Sequence, residues 1–207
     1  HQSGFKKETL WTGSITANRR SERYSFLSEL TWKYDDKSEL DQLDKTKILG
    51  TLEGRYQPSP EKNIFYSLIA DAFHDSERNI RIRYNVGPAV GYYFVDSKKV
   101  HLDANIGATY SHEDTPNESS SFPSLRIAET FLWTISESHS FWFDTTYYDR
   151  MNDWGRLRLS LRAGVSSKFN EQWGLRVELR DDYEPRPTDP QAVKNDMILI
   201  VGLGYDF

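Results

Sequence analysis

The stretch Met197-Ile198-Leu199-Ile200-Val201-Gly202-Leu203-Gly204-Tyr205-Asp206-Phe207 decides how the rest of the chain is read. Met197, Leu199, Val201, Leu203, Tyr205 and Phe207 are apolar at every second position, with Ile198, Ile200, Gly202, Gly204 and Asp206 between them. A period of two is the signature of a β-strand, and here one face is wholly apolar and ends in two aromatic rings. Such a strand packs either into the core of a soluble β domain or against lipid.

Composition separates these readings. The 207 residues carry 14% aromatic side chains but only 37% hydrophobic ones, and the mean hydropathy is -0.71. A soluble core this rich in rings would need more aliphatic partners. A membrane barrel instead needs apolar residues on one strand face, polar residues on the other and rings at the interfaces. No run of about 18 apolar residues exists, which excludes a transmembrane helix and leaves a barrel open. The chain has no cysteine, so disulfide and thiol chemistry are absent. With a net charge of -5 and no basic block, nucleic acid is not an expected partner. The opening HQSGFKKETL lacks the apolar centre of a secretory signal and reads as the start of a mature chain.

Eleven segments alternate in this way, and no helical period of useful length interrupts them. In the second, Tyr24, Phe26, Leu30, Trp32 and Tyr34 oppose Ser25, Glu29, Thr31 and Lys33. In the third, Ile48, Gly50, Leu52, Gly54 and Tyr56 oppose Lys47, Glu53 and Arg55. The fifth sets Ile80, Ile82, Tyr84, Val86, Val90, Tyr92 and Phe94 against Arg81, Arg83, Asn85 and Tyr93. The ninth sets Leu157, Leu159, Leu161, Ala163 and Val165 against Arg156, Arg158, Ser160 and Arg162. Short turns (19–22, 58–61, 96–99, 136–140, 168–172) alternate with longer polar connections, among them 35–45, 74–79, 112–121 and 181–195. Barrels of the outer membrane have short periplasmic turns and longer outer loops. The predicted fold is therefore all-β: one domain over residues 1–207, an antiparallel transmembrane barrel of about 10–12 strands.

Three features strain that fold. Eleven strands put the two termini on opposite sides of the membrane, whereas ten or twelve restore parity. Glu129 falls on the apolar side of its strand, so a bulge is expected to turn it inward. Pro88 sits inside the fifth strand, where it removes a ladder hydrogen bond, so a bulge or local opening is expected there.

The chain's end also resembles the C-terminal assembly signal of outer-membrane barrels, with Gly202, Tyr205 and Phe207 in its three places. Further pieces are Trp11-Thr12-Gly13-Ser14, Gly91-Tyr92-Tyr93, and Leu102-Asp103-Ala104-Asn105-Ile106-Gly107-Ala108-Thr109-Tyr110. Together these resemble the YdiY-like, salt-induced outer-membrane protein family. The family often has Gly-Asn after its first strand, where this chain has Ala17-Asn18. The resemblance implies an integral outer-membrane location, contact with membrane lipid and recognition of the last strand by the barrel assembly machinery. It implies no catalytic residue.

The faces opposite the apolar ones are dense in charge. The residues expected to line the lumen are Glu29, Glu53, Arg55, Asp71, Arg81, Arg83, His101, Asp103, Arg126, Asp144, Arg158, Arg162, Arg176, Glu178 and Arg180. The leading expectation is a lumen filled by mutually paired side chains, because barrels of about eight strands are filled and wide aqueous channels need about sixteen. An arginine-lined constriction for small anions is the functional alternative. The acidic groups Asp35, Asp36, Glu39, Asp41, Asp44 and Glu113, Asp114, Glu118 read as solvated loops, with weak holding of divalent cations or lipopolysaccharide-bridging ions, or contact with another envelope protein, as the alternatives. No metal or cofactor constellation stands out. His101, Asp103 and Ser160 form the one arrangement from which a lipid hydrolase could be built. A hydrogen-bonded filler is the commoner role for such a histidine, and the chain is not expected to be an enzyme.

Overall fold

The computed structural model describes residues 8–37, 45–59, 61–170, 172–188 and 192–205. Eleven strands follow one another: β1 Glu8–Arg20, β2 Tyr24–Lys37, β3 Lys45–Tyr56, β4 Ile64–Asp75, β5 Ile80–Asp96, β6 Val100–Asp114, β7 Ser119–Thr134, β8 His139–Arg150, β9 Leu157–Lys168, β10 Trp173–Tyr183 and β11 Asn195–Tyr205. Each pairs antiparallel with its neighbours in sequence, giving one sheet in the order β1 to β11. No helix is present among the described residues. Charged pairs reach from β9 to β2 and from β3 to β10 and β11, so the sheet is curled with its polar face inward.

The distribution of polarity is inverted relative to a soluble domain. Among the described residues nineteen polar or charged ones are buried and nine apolar ones are, while Leu52, Leu68, Val90, Ile106, Ile127 and Val201 are exposed. The apolar alternation read from the sequence is thus the outer surface of the curl. Rings gather at its ends: Tyr24 stacks on Tyr56 at 5.2 Å near one rim, and Tyr84 stacks on His112 at 5.0 Å near the other.

At one end of the sheet the connections hold three, seven, three, four and four residues; at the other they hold seven, four, four, six and eleven. The contrast is weaker than the sequence suggested. β4 extends to Asp75, β6 to Asp114, and β7 begins at Ser119, so much of the expected loops 74–79 and 112–121 is strand. β5, β6 and β7 run for 17, 15 and 16 residues, beyond the nine to eleven that a tilted spanning strand requires.

Pro88 opens the ladder without a bulge. β4 stays paired through it, Leu68 opposite Pro88, whereas the β5–β6 ladder skips Gly87 and Pro88 and resumes in the same register at Ala89. Proline has no N–H to donate, so one side of the strand loses its bond. The bulges lie elsewhere, between Phe73 and Asp75 and between Tyr93 and Val95. Ile80, expected outside, is buried beside the first of these. No bulge turns Glu129 inward: β7 keeps unbroken register with both neighbours, and Glu129 is exposed on the apolar face.

The parity problem takes a definite structural form. Among the described residues β1 pairs only with β2 and β11 only with β10. Both are odd-numbered in an antiparallel meander, so these two edge strands run parallel to each other.

Candidate functional site

The inward face holds three layers of polar contacts. Near the short-turn end, Arg55 on β3 donates to Glu53 at 2.8 Å and to Asp103 on β6 at 3.0 Å. His101 bonds Asp103 at 2.8 Å through Nε2 and Asp96 at 3.0 Å through Nδ1. Arg20 on β1 reaches the same Asp96 at 2.5 Å. Beneath this lattice lies an apolar filler, with Phe65 and Tyr93 rings 4.5 Å apart and Arg55 4.6 Å over Phe65. Gly91 makes room for it, since a Cβ there would stand only 2.1 Å from Phe65 Cζ.

In the middle, Tyr148 on β8 donates its hydroxyl to Asp71 on β4 at 3.1 Å and accepts from Arg126 at 3.1 Å. Asn85 donates to Asp71 at 2.8 Å, and Arg126 donates to Asn105 at 2.5 Å. Arg162 on β9 spans to Glu29 on β2 at 2.7 Å and to Asp144 at 3.4 Å. Glu178 accepts from Arg176 at 3.1 Å and from Arg180 at 2.5 Å. Tyr148 with Asp71 and Arg162 with Glu29 tie strands that lie well apart around the sheet and so cross the lumen, whereas the other bonds join neighbouring strands or lie within β10.

At the longer-loop end the segment after β10 folds over the mouth. Glu184 takes three bonds from Arg83 at 3.0–3.1 Å, and Arg83 also donates to Glu113 at 2.6 Å. Thr188 touches Glu113 and accepts from Arg156 at 2.8 Å and Arg150 at 3.2 Å. Lys47 bridges Asp182 at 2.6 Å and Asp196 at 3.0 Å. The space left among Arg83, Glu113, Tyr148, Arg150, Arg158 and Glu184 is about 30 Å³, room for little more than a water or two.

Of the expected lining residues, the three layers hold Glu29, Glu53, Arg55, Asp71, Arg83, His101, Asp103, Arg126, Asp144, Arg162, Arg176, Glu178 and Arg180. Arg158 also points inward and lies 4.6 Å over the Tyr148 ring. Arg81 does not line the lumen: its side chain is 63% exposed and stands 4.0 Å from Asp114 at the rim. Glu113, expected in a solvated loop, is buried in the third layer. The structure brings His101 and Asp103 together but not Ser160, which donates instead to Asp182 at 2.5 Å. Among the described residues no group of His, Cys, Asp and Glu is arranged to hold a metal. Gly202 lies within β11 and Tyr205 ends it; the side chain of Tyr205, and Phe207 itself, lie outside the described residues.

Phe65, Ile69, Phe122 and Tyr148 were not anticipated inside the lumen, yet all are buried. The signal was present in β4, whose sequence Ile64-Phe65-Tyr66-Ser67-Leu68-Ile69 is apolar on both faces. The role of Glu184 and Thr188 had no local signal, because it depends on where the last loop falls.

Comparison with known proteins agrees with the architecture. The profile of a family described as "Protein of unknown function, DUF481" matches residues 1–207. No curated protein matches the chain. Among solved structures, the one titled "NanC porin structure in rhombohedral crystal form" superposes with a TM-score of 0.55 at 10% identity, covering 96% of this chain and 99% of that one. At this identity the likeness speaks for the fold alone.

Proposed function

The chain belongs to the DUF481 family, and from that footing we propose that it is an integral outer-membrane barrel with a lumen tied shut by cross-barrel ion pairs, serving a structural role. The observation that carries this is the inversion of burial, nineteen polar residues inside against nine apolar ones, on a porin-like sheet. In water an apolar outer band of this extent would aggregate; in hydrocarbon it is the required surface. The short-turn end faces the periplasm and the longer-loop end faces outward. The glycine and aromatic signatures support membership of the YdiY-like salt-induced group within the family, and the terminal strand is the segment read by the barrel assembly machinery.

A second reading, a narrow pore for small anions, is favoured by Arg158 and Arg176. Arg158 has a ring contact and no ion pair among the described residues, and Arg176 is half-exposed over Trp142. Planar-bilayer recording tests both readings. The tied lumen gives no unitary steps, whereas reproducible anion-selective steps from the wild-type protein would replace the structural reading with the pore. A third reading, a contact barrel for another envelope protein, would show as a stoichiometric partner on extraction from native membranes.

A further inference from the structure

We infer that the outer wall over β1–β4, near the short-turn end, carries a site for one glycerophospholipid with an anionic headgroup. The inference rests on the membrane reading above, since a bilayer is what supplies such a ligand there. The wall is not smooth at this place: a recess of about 690 Å³ opens on the apolar face. That lies within the roughly 300–1,000 Å³ of small-molecule sites, room for a headgroup and the first part of an acyl chain.

The register builds the recess row by row. Along the rim Tyr24 lies opposite Tyr56, and Tyr56 opposite Tyr66, so three phenols stand side by side on β2, β3 and β4. They are 39–62% exposed, and their hydroxyls have no partner among the described residues. The next outward row, farther from the rim, sets Arg19 opposite Phe26, Phe26 opposite Gly54 and Gly54 opposite Leu68. Gly54 is the floor: nothing lies within 4 Å of where its Cβ would be. Phe26 and Leu68 stand as walls on either side of that gap.

Arg19 gives the recess its charge. Its neighbour Arg20 turns inward and is held by Asp96 at 2.5 Å. Arg19 turns outward and is exposed, and among the described residues its guanidinium meets no carboxylate and no hydrogen-bond acceptor. No acidic side chain lines the recess, and the other guanidinium there, Arg55, is spent on Glu53 and Asp103. A cation on a hydrocarbon-facing wall needs an anion, and a phosphodiester matches the planar fork of arginine. Tyrosine rings sit at headgroup level, so the phenol row adds donors beside that phosphate. The gap over Gly54 takes the start of an acyl chain between Phe26 and Leu68. With no carboxylate present, the ammonium of a zwitterionic headgroup finds no partner, so a net-anionic lipid is favoured. The short-turn end faces the periplasm on the reading above, so the ligand comes from the phospholipid leaflet and not from lipopolysaccharide.

Native mass spectrometry of the detergent-extracted, delipidated protein tests this, with phosphatidylglycerol as the probe. One molecule is expected to bind saturably per chain, about tenfold more tightly than phosphatidylcholine with the same acyl chains. Arg19→Gln should weaken uptake about tenfold or more, and Gly54→Leu, which fills the gap, should weaken it several-fold. Arg23→Gln, an exposed arginine in the adjoining turn, should leave it unchanged. A gel shift between folded and boiled protein shows that each variant is folded. Equal uptake of phosphatidylcholine, full uptake by Arg19→Gln or Gly54→Leu, or an equal loss in Arg23→Gln would each overturn the proposal. Displacement of the lipid by glycerol phosphate alone, or by lipopolysaccharide, would overturn it as well. Failure of the membrane reading shows separately, as recovery of the folded wild-type protein in the soluble fraction without detergent.

Discussion

Replacing Arg83 by Met leaves the cationic centre of the mouth apolar while nearly conserving its volume. Arg83 is 5% exposed and makes four bonds, one to Glu113 and three to Glu184. Arg150 stays 3.4 Å from Glu113 and Arg78 3.8 Å from Glu184, so neither carboxylate is stranded completely. Removing one partner of a buried ion pair costs about 3–5 kcal/mol, and the remaining guanidinium groups place Arg83→Met at about 3 kcal/mol. With a urea slope of about 3 kcal/mol/M, the unfolding midpoint should fall by about 1 M. The assay is equilibrium unfolding in lipid vesicles, followed by tryptophan fluorescence and by the gel shift between folded and boiled protein. Neutralising the acids in Arg83→Met/Glu113→Gln/Glu184→Gln should recover more than half of the loss, because the penalty is uncompensated charge. A single substitution within about 1 kcal/mol of wild type, or a triple variant no better than the single, would refute the reasoning.

Other outcomes follow from the remaining features. Glu129→Leu should stabilise the barrel by about 1–2 kcal/mol in lipid, since it removes a carboxyl from the apolar face between Ile127 and Phe131; the same unfolding assay reads it, and destabilisation would mean the carboxyl has a partner. Val90→Arg, on the outward face of β5, should cost about 2–4 kcal/mol in lipid if it sits at mid-depth, and unchanged stability would argue against burial of that face in hydrocarbon. Glu29→Ala/Arg162→Ala cuts a tie across the middle layer and should produce bilayer conductance absent from the wild type. A silent double variant would show that this pair does not seal the lumen. Gly91→Val drives two methyls into Phe65 and should cut the folded yield recovered from membranes several-fold, with Gly91→Val/Phe65→Ala restoring part of it.

The sequence carried the strands because a sheet with an apolar outer face and polar contacts within must alternate, and Tyr24 to Tyr34 or Leu157 to Val165 can do so in few other ways. It carried the inward charges for the same reason. It does not carry the strand ends within 112–121, whose polar composition is that of a loop. There the strands rise past the apolar band, so neither face needs grease and the period-two signal fades while the ladder continues. Glu113 was misplaced with them. The pattern is also ambiguous inside β4, where Phe65 and Ile69 are apolar on the face opposite Ile64, Tyr66 and Leu68, so alternation alone does not say which set turns inward. Partners such as Arg162 with Glu29 are 133 residues apart, and their meeting depends on stagger accumulated over many strands, which no local pattern encodes.

The unequal strand lengths also shape the rim. At about 3.3 Å per residue and a tilt near 40°, seventeen residues rise about 43 Å and eleven about 28 Å. The β5–β7 side therefore stands as a parapet about 10–15 Å above the β10–β11 side, and the rim at the longer-loop end is a slope. The loop carrying Glu184 and Thr188 leans across from its low side to Arg83 and Glu113.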